Sequence, residues 1–420
     1  LRYAPSLRRR TAAPVRPPIA SRLDLAHVLA VLTRPFALVA LALIGLGLAH
    51  PGQPPSRSGP TARQRPSASR AVAQGVARPD GIRVRGGELV SDSGRPVVLH
   101  GVDMSGTEYA CAQNHTDDPF AGQPESSPQT LAAMRSWHID AVRIPLNEDC
   151  WLGINGVRIG GAAYQRAIVN LVNQLQSSGF YVILDLHWSA PGTQRALTQN
   201  PGPDQDHSPT FWASVAKTFK GDPDVIFDLF NEPYYSWMAK GSGGVWSCLW
   251  QGCTLTRYLT GSQPASVAAD WRTAGMDELI STVRRSGARN LILVAGVDWA
   301  NDLSQWLRGR PRVANVAASW HSYPQNRCST KRCWGKTIAS LARRVPVVVT
   351  ETGDTTHGPA KYLARLLPWC DHHGIGYLAW TWNAWPKSKD VLVTNMATGA
   401  PTRGEGAYYR QHLLQLSRQR

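Results

Sequence analysis

From residue 86 onward, short apolar runs recur along the chain, separated by longer amphipathic stretches. Eight runs stand out: 97–101 (VVLHG), 141–145 (AVRIP), 181–187 (YVILDLH), 225–231 (VIFDLFN), 291–296 (LILVAG), 316–321 (VAASWH), 346–351 (PVVVTE) and 375–382 (IGYLAWTW). Continuous Val, Ile and Leu, rather than strict alternation, is the pattern of strands buried on both faces. The stretches between them read as helices. Residues 163–178 place Ile168, Leu171, Val172 and Leu175 on one face and stop at Gly179. Residues 266–285 and 359–370 share the same pattern, with Gly287 and Gly374 as stops. Strand–helix units repeated eight times predict an α/β fold, a (β/α)8 TIM barrel over 86–420. A doubly wound open sheet is the competing topology, but no strand leads into a Gly-rich phosphate loop.

The N-terminal part has a different pattern. Residues 36–49 (FALVALALIGLGLA) are 14 apolar residues behind an Arg-rich start. That is the length of a signal-peptide core and short of the ~20 residues a spanning helix needs. Residues 1–49 are therefore expected to direct export by a cleaved signal, with an uncleaved membrane anchor over 28–49 as the alternative. Either places the remainder outside the cytoplasm. Residues 50–85 are rich in Pro, Arg and Ser with no apolar period, the composition of a disordered linker.

Charge shows the same division. The chain carries 45 Lys and Arg against 29 Asp and Glu, a formal net charge of +16. Such an excess raises nucleic acid as a partner. Residues 1–80, however, hold 12 Arg and 2 Asp, which leaves only +6 for the rest. Nucleic acid is therefore not an expected partner of the barrel. Cysteine spacing agrees with export. Cys248/Cys253 and Cys328/Cys333 could each staple a loop and Cys111/Cys150 could tie two, leaving Cys370 over, although six cysteines allow 15 connectivities. No C-x2-C pair is present, and no metal or other cofactor is expected.

In a barrel of this kind the chemistry sits at the C-terminal ends of the strands. Here those ends deliver Arg143, Asp185 and His187, Asn231-Glu232-Pro233, His321 and Tyr323, Glu351, and Trp382. Two carboxylates on different strands, with His, Tyr, Arg, Asn and Trp around them, suit an acid/base and nucleophile pair for glycosidic bonds.

These residues resemble glycoside hydrolase family five, the cellulase family. The resemblance runs over roughly 86–418 and rests on DLHW at the third run, FNEP at the fourth and TETG at the seventh. It implies that Glu232 is the general acid/base and Glu351 the nucleophile of a retaining enzyme. Asn231 would contact the sugar 2-hydroxyl. Arg143 would hydrogen-bond near the nucleophile, and His187 would line the subsite where cleavage occurs. Tyr323 would orient the nucleophile, with His321 near the acid/base. Trp382 would be the sugar platform, with Trp380 as a rival because AWTWNAW offers three Trp. Thr350 stands where the family more commonly has Gly. The implied activity is that of a secreted, monomeric endo-β-glucanase acting on a polysaccharide or oligosaccharide. β-Mannanase, exo-β-glucosidase and glycoconjugate hydrolase are the alternatives within the family.

Each residue also has a plainer reading. Asn-Glu-Pro is a common helix start. A lone His is usually a satisfied core residue, and Trp380 or Trp382 could be core packing. Asp185 reads as structural, and His100, His357, His372 and His373 as surface or packing residues. Trp237, Trp246 and Trp250 in the loop after the fourth run are candidates for further subsites. Of other function classes, a metal-dependent barrel hydrolase would need an H-x-H on the first strand, where only His100 occurs. A non-catalytic sugar-binding barrel would be expected to lack one of the two glutamates, and both are present.

Overall fold

The computed structural model describes residues 76–419, except 114–117, 119, 121–125, 236–243, 256–270 and 357. The apolar run at 36–49, the linker up to 75, Trp237 and His357 lie outside the described residues. Among those described, no helix is long and apolar enough to cross a membrane.

Eight parallel strands close into a barrel: β1 His100–Asp103, β2 Ala141–Asn147, β3 Tyr181–Trp188, β4 Val225–Asp228, β5 Ile292–Ala295, β6 Val316–Ser322, β7 Val347–Thr352 and β8 Gly376–Ala379. Neighbours in the barrel keep chain order, and β8 closes on β1. The open-sheet alternative is thereby excluded. Outside the strands pack α1 Pro128–Ser136, α2 Ala162–Ser177, α3 Ser208–Phe219, α4 Met276–Arg285, α6 Leu363–His372 and α7 Glu405–Ser417. The α5 segment comes after β6 as three consecutive pieces, Lys331–Cys333, a π turn at Trp334–Ile338, and Ala339–Ala342.

The eightfold strand–helix repeat needs one correction. Among the described residues, β5 and β6 alone are joined without a helix. Asp298, Trp299 and Ala300 take left-handed backbone there, and Gly309 and Pro311 interrupt the rest of the connection. The helix expected over 266–285 is also shorter, because Trp271–Arg272 pair with Thr254–Leu255 before Gly275 opens α4. The first strand begins later than expected because Val97 still bonds the preceding hairpin, its N–H donating to the Leu89 carbonyl. That hairpin, Arg83–Arg85 with Glu88–Val90, lies across the N-terminal end of the barrel. Ile82 is buried there and Val84 N–H donates to Asn315, so packed chain begins before residue 86.

Strand alternation makes the barrel interior apolar at one end and polar at the other. Inward positions run Tyr181, Ile183, Asp185, His187 on β3 and Ala317, Ser319, His321 on β6. The lower residues join Ile226, Leu293, Val348 and Leu378 in one apolar cluster. The large second cluster fills the space between strands and helices. Three disulfides, Cys111–Cys150, Cys248–Cys253 and Cys328–Cys333, match the expected pairing, and Cys370 is free and buried.

Candidate active site

Arg143 organises the polar end of the barrel. Alternation along β2 turns Ala141, Arg143 and Pro145 inward, and four carboxylates from four other strands meet the guanidinium. Its nitrogens lie 3.0 Å from Asp103, 3.1 Å from Asp185, 3.1 Å from Asp228 and 2.8 Å from Glu351. A further bond runs from Nη2 to Asn231 Oδ1 at 3.0 Å. Burial works against the charge on Arg143, but the surrounding carboxylates outweigh it and hold its pKa well above the ordinary value. Burial pushes Asp185 and Asp228 up to about 7 and holds Asp103 well above the usual carboxylate range, against the pull of Arg143. Not all of these groups can be ionised together at neutral pH.

Glu351 reaches this cluster through a break in regularity. With Val348 and Thr350 facing inward, plain alternation would turn Glu351 outward. The β7–β8 register shifts between Val349 and Thr352, and the β6–β7 register shifts at Trp320/His321. Such irregularities re-aim a side chain at a barrel rim. Thr350 keeps its inward place by bonding Ser319. Glu351 then receives one hydrogen bond on each oxygen, from Arg143 Nη1 at 2.8 Å and from Tyr323 Oη at 3.0 Å.

Glu232 lies beyond the end of β4, where the Asn231 N–H donates to the Leu186 carbonyl. Its Oε1 is 2.9 Å from His321 Nδ1, and the same nitrogen is 3.5 Å from Glu351 Oε2. One atom each from Glu232, His321 and Glu351 lie within 4.8 Å of one another. Burial raises Glu232 to about 7, with His187 and Arg143 acting in the opposite direction. Burial also lowers His321 to about 3, so its imidazole is neutral at ordinary pH. The arrangement therefore pairs a carboxyl able to keep its proton near neutrality with a second one held by two donors.

The other expected residues divide. His187 Nδ1 is 2.6 Å from Asp185, Asn231 Nδ2 is 3.3 Å from His187 Nε2, and the His187 ring stacks on Trp380 at 5.7 Å. Asp185 is thus part of a buried network, as its plainer reading held. Trp382 does not join the site. The strand stops at Ala379, and Trp382 is fully buried, edge-on to Trp137 at 4.7 Å, with Nε1 donating to the Met396 carbonyl. Trp382 has no open ring face, whereas Trp380 is partly exposed and lies beside His187. Trp246 and Trp250 are also buried, the latter against Trp306, and are not open subsites. His372 and His373 are exposed, while His100 packs edge-on to Tyr377.

Sequence reasoning missed several contributors. Asp103 and Asp228 are single acids in apolar runs, where a partner is visible only in three dimensions. Gln199 comes from the loop after β3 and bonds Asn231 Nδ2 at 2.8 Å while donating to the Glu232 carbonyl at 3.2 Å. Trp299 is 39% exposed and stacks on Tyr234 at 4.0 Å, two residues from Glu232. Two of the three residues that could hold a metal here, Glu232 and Glu351, already have the partners described. The second such group is Glu148, Asp204 and His207, and its carboxylates accept from Ala190, His207 and Ser208.

Comparison with known proteins gives consistent relatives. A model of the family described as "Cellulase (glycosyl hydrolase family 5)" matches residues 90–385. Endoglucanase MaCel5A of Microbulbifer sp. is 23% identical over 290 residues, 67% of this chain and 46% of that protein. A mannan endo-1,4-beta-mannosidase of Cellvibrio japonicus is 22% identical over 336 residues, 77% of this chain and 64% of that one. The chain thus spans between about half and two thirds of the length of these relatives. Among solved structures, the beta-glucanase SdGluc5_26A of Saccharophagus degradans, determined with cellotetraose, superposes with a TM-score of 0.58 at 19% identity. It covers 81% of this chain and 95% of its own.

Proposed function

The chain belongs to the cellulase family, glycosyl hydrolase family 5, and from that premise we propose that it is a retaining endo-β-glucanase. The observation that carries the proposal is the Glu232–Glu351 pair, with oxygens within 4.8 Å of each other at two strand ends. Retaining hydrolases need carboxyls ~5–5.5 Å apart, and inverting ones leave ~6.5–9.5 Å for a water. Glu351, fixed by Arg143 and Tyr323, attacks the anomeric carbon. Glu232 gives its proton to the leaving oxygen. Once the glycosyl-enzyme has formed, Glu351 is uncharged and Glu232, with His321 beside it, deprotonates the water. Asn231, held by Arg143 and Gln199, is placed to meet the 2-hydroxyl. Trp380 offers a face to the sugar at the cleavage site, and Trp299 offers one to the leaving-group side.

A reducing-sugar screen over cellulose, mixed-linkage glucan, mannan and β-1,3-glucan tests the substrate. Release from cellulose or mixed-linkage glucan, with falling viscosity, is expected; release from mannan alone would replace glucanase by mannanase. We also infer export, supported by the apolar run at 36–49 and the three disulfides. The same screen on culture medium and cytosol tests it, with activity confined to the cytosol counting against export. The barrel is taken to act as a monomer without cofactor.

The pH dependence is set by Glu232. The first step needs its proton, so kcat/KM on an unactivated glycan should fall by about tenfold per pH unit above about 7. An activated aryl glycoside needs little protonation and should show a much weaker limb. Equal limbs for both substrates would remove Glu232 from the acid role. The two tryptophans should separate cleanly. Trp380→Ala should raise KM with little change in melting temperature. Trp382→Ala should cost about 3–5 kcal/mol of stability, as for other buried aromatics, and thermal denaturation with Michaelis kinetics distinguishes the two.

A further inference from the structure

Charge is unevenly distributed round the barrel. Between Asp302 and Glu351 the chain runs 48 residues without an Asp or Glu while carrying nine Lys and Arg. Residues after position 80 sum to +6, so those outside this stretch sum to −3. The fold turns the stretch into a surface. Its middle is β6, buried throughout, and its cations lie on the β5–β6 connection and on the β6–β7 segment that contains α5. Because β5, β6 and β7 are consecutive in the barrel, the two segments flank one side of it.

On the first segment Arg308 and Arg312 are exposed, and the Arg310 guanidinium lies over the Trp306 ring at 5.2 Å. On the second, Lys331, Arg332 and Lys336 are exposed while Trp334, Ile338 and Leu341 face the core. Arg343 and Arg344 extend the row past the end of α5. At ~1.5 Å per residue, positions 331–344 span about 20 Å. The start of this row is pinned by the Cys328–Cys333 disulfide and by Thr330, whose side chain caps the helix. Among the described residues only Arg327 of the nine pairs with a carboxylate, Asp298 at 3.7 Å. A merely solvated helix face ordinarily mixes charges of both signs, and this one has no anion.

We propose that this side of the barrel docks a polyanion, and that the partner is a carboxylate-bearing polysaccharide lying beside the glycan being cut. The choice of partner rests on the glycanase reading above and on the charge of the surface, which is complementary to a polysaccharide bearing carboxylates. The surface itself favours it over single-stranded nucleic acid. The exposed large apolar side chains among the described residues are Val76, Leu197 and Trp299, none of them in this stretch to stack a base. Guanidinium groups meet carboxylates in paired hydrogen bonds, and rows of fixed cations raise the local concentration of an anionic chain. The effect is to hold the open end of the barrel near mixed polymer.

The test uses the full chain and polygalacturonate as the probe. A three-site variant, Lys331→Gln with Arg332→Gln and Lys336→Gln, is compared with a charge-matched control, Arg166→Gln with Lys217→Gln and Lys220→Gln, exposed on α2, on α3 and just past the end of α3. At low ionic strength the first should bind about tenfold more weakly than the parent, a difference that about 0.5 M salt removes. The control should bind as the parent does. Equal loss in both variants, or no loss in either, overturns the proposal, because diffuse charge or the basic N-terminal residues would then carry binding. Duplex DNA, run at the same salt, decides the partner class. Tighter binding to DNA than to polygalacturonate, weakened by the first variant, also overturns it. Hydrolysis of a short neutral oligosaccharide should be unchanged in both variants. If neither protein hydrolyses any glycan while the binding difference persists, docking stands and the glycanase reading falls.

Discussion

Arg143→Gln should destabilise the barrel by about 3–5 kcal/mol at neutral pH, the cost of leaving buried charges without their partner. The side chain is fully buried and meets Asp103, Asp185, Asp228 and Glu351 within 3.1 Å. The loss should also depend on pH, and its sign is set by the carboxyls. Asp185 and Asp228 are raised to about 7 by burial, against an unfolded value of ~3.9. Between about pH 4 and 7 the folded state therefore holds protons that the unfolded chain releases, and the contribution of these groups to stability falls as pH rises. Without Arg143, which pulls both pKa values down, they move further up and the penalty extends to higher pH. Denaturant unfolding at pH 5 and pH 8 should show the larger deficit at pH 8. A loss equal at both values, or one under about 1 kcal/mol, the scale of a surface ion pair, would mean the cluster is not the electrostatic centre described.

That cluster also shows where sequence reading stops. Glu232, Glu351, His187, His321 and Tyr323 were legible because continuous apolar runs mark parallel strands, and the first polar residues after such runs fall at the barrel's functional end. The Arg143 position was legible for the same reason. Its partners Asp103 and Asp228 were not, since an isolated acid in an apolar run has no signature until the strands are closed into a ring. Trp380 and Trp382 part at the end of β8, where only the first keeps an exposed edge. The strand stops at Ala379, and the chain then turns so that the Trp382 N–H reaches the Asp103 carbonyl, which sends its ring into the core. Gln199 and Trp299 lie in connections, where pattern carries no information about which strand end is approached. The missing helix between β5 and β6 was foreshadowed by Gly309 and Pro311, but the left-handed turn at 298–300 uses Asp, Trp and Ala, a set without the glycine or asparagine that would mark it.

Glu351→Ala should lose roughly 10⁶ in kcat, the scale of deleting a covalent nucleophile. Glu232→Ala should lose roughly 10²–10⁴ on an unactivated glycan. The losses alone do not assign roles, because both groups lie beside His321 and either could be imagined attacking. Azide separates them. With an activated aryl glycoside, Glu232→Ala needs no proton for departure of the leaving group, so it should form the glycosyl-enzyme and accumulate it. Azide then enters where the base-assisted water would, and the product should be the β-azide, with configuration retained. In Glu351→Ala the cavity left by the carboxylate lies on the opposite face of the sugar, beside Arg143 and Tyr323, whose donors now face a small anion instead of Glu351. Azide bound there attacks directly, and the product should be the inverted α-azide. Proton NMR of the anomeric centre reads each outcome. Exchange of the two configurations would reverse the roles of Glu232 and Glu351. An inverted sugar from the unmutated enzyme would exclude double displacement altogether, and the approach of the two carboxyls to within 4.8 Å would then need a different account.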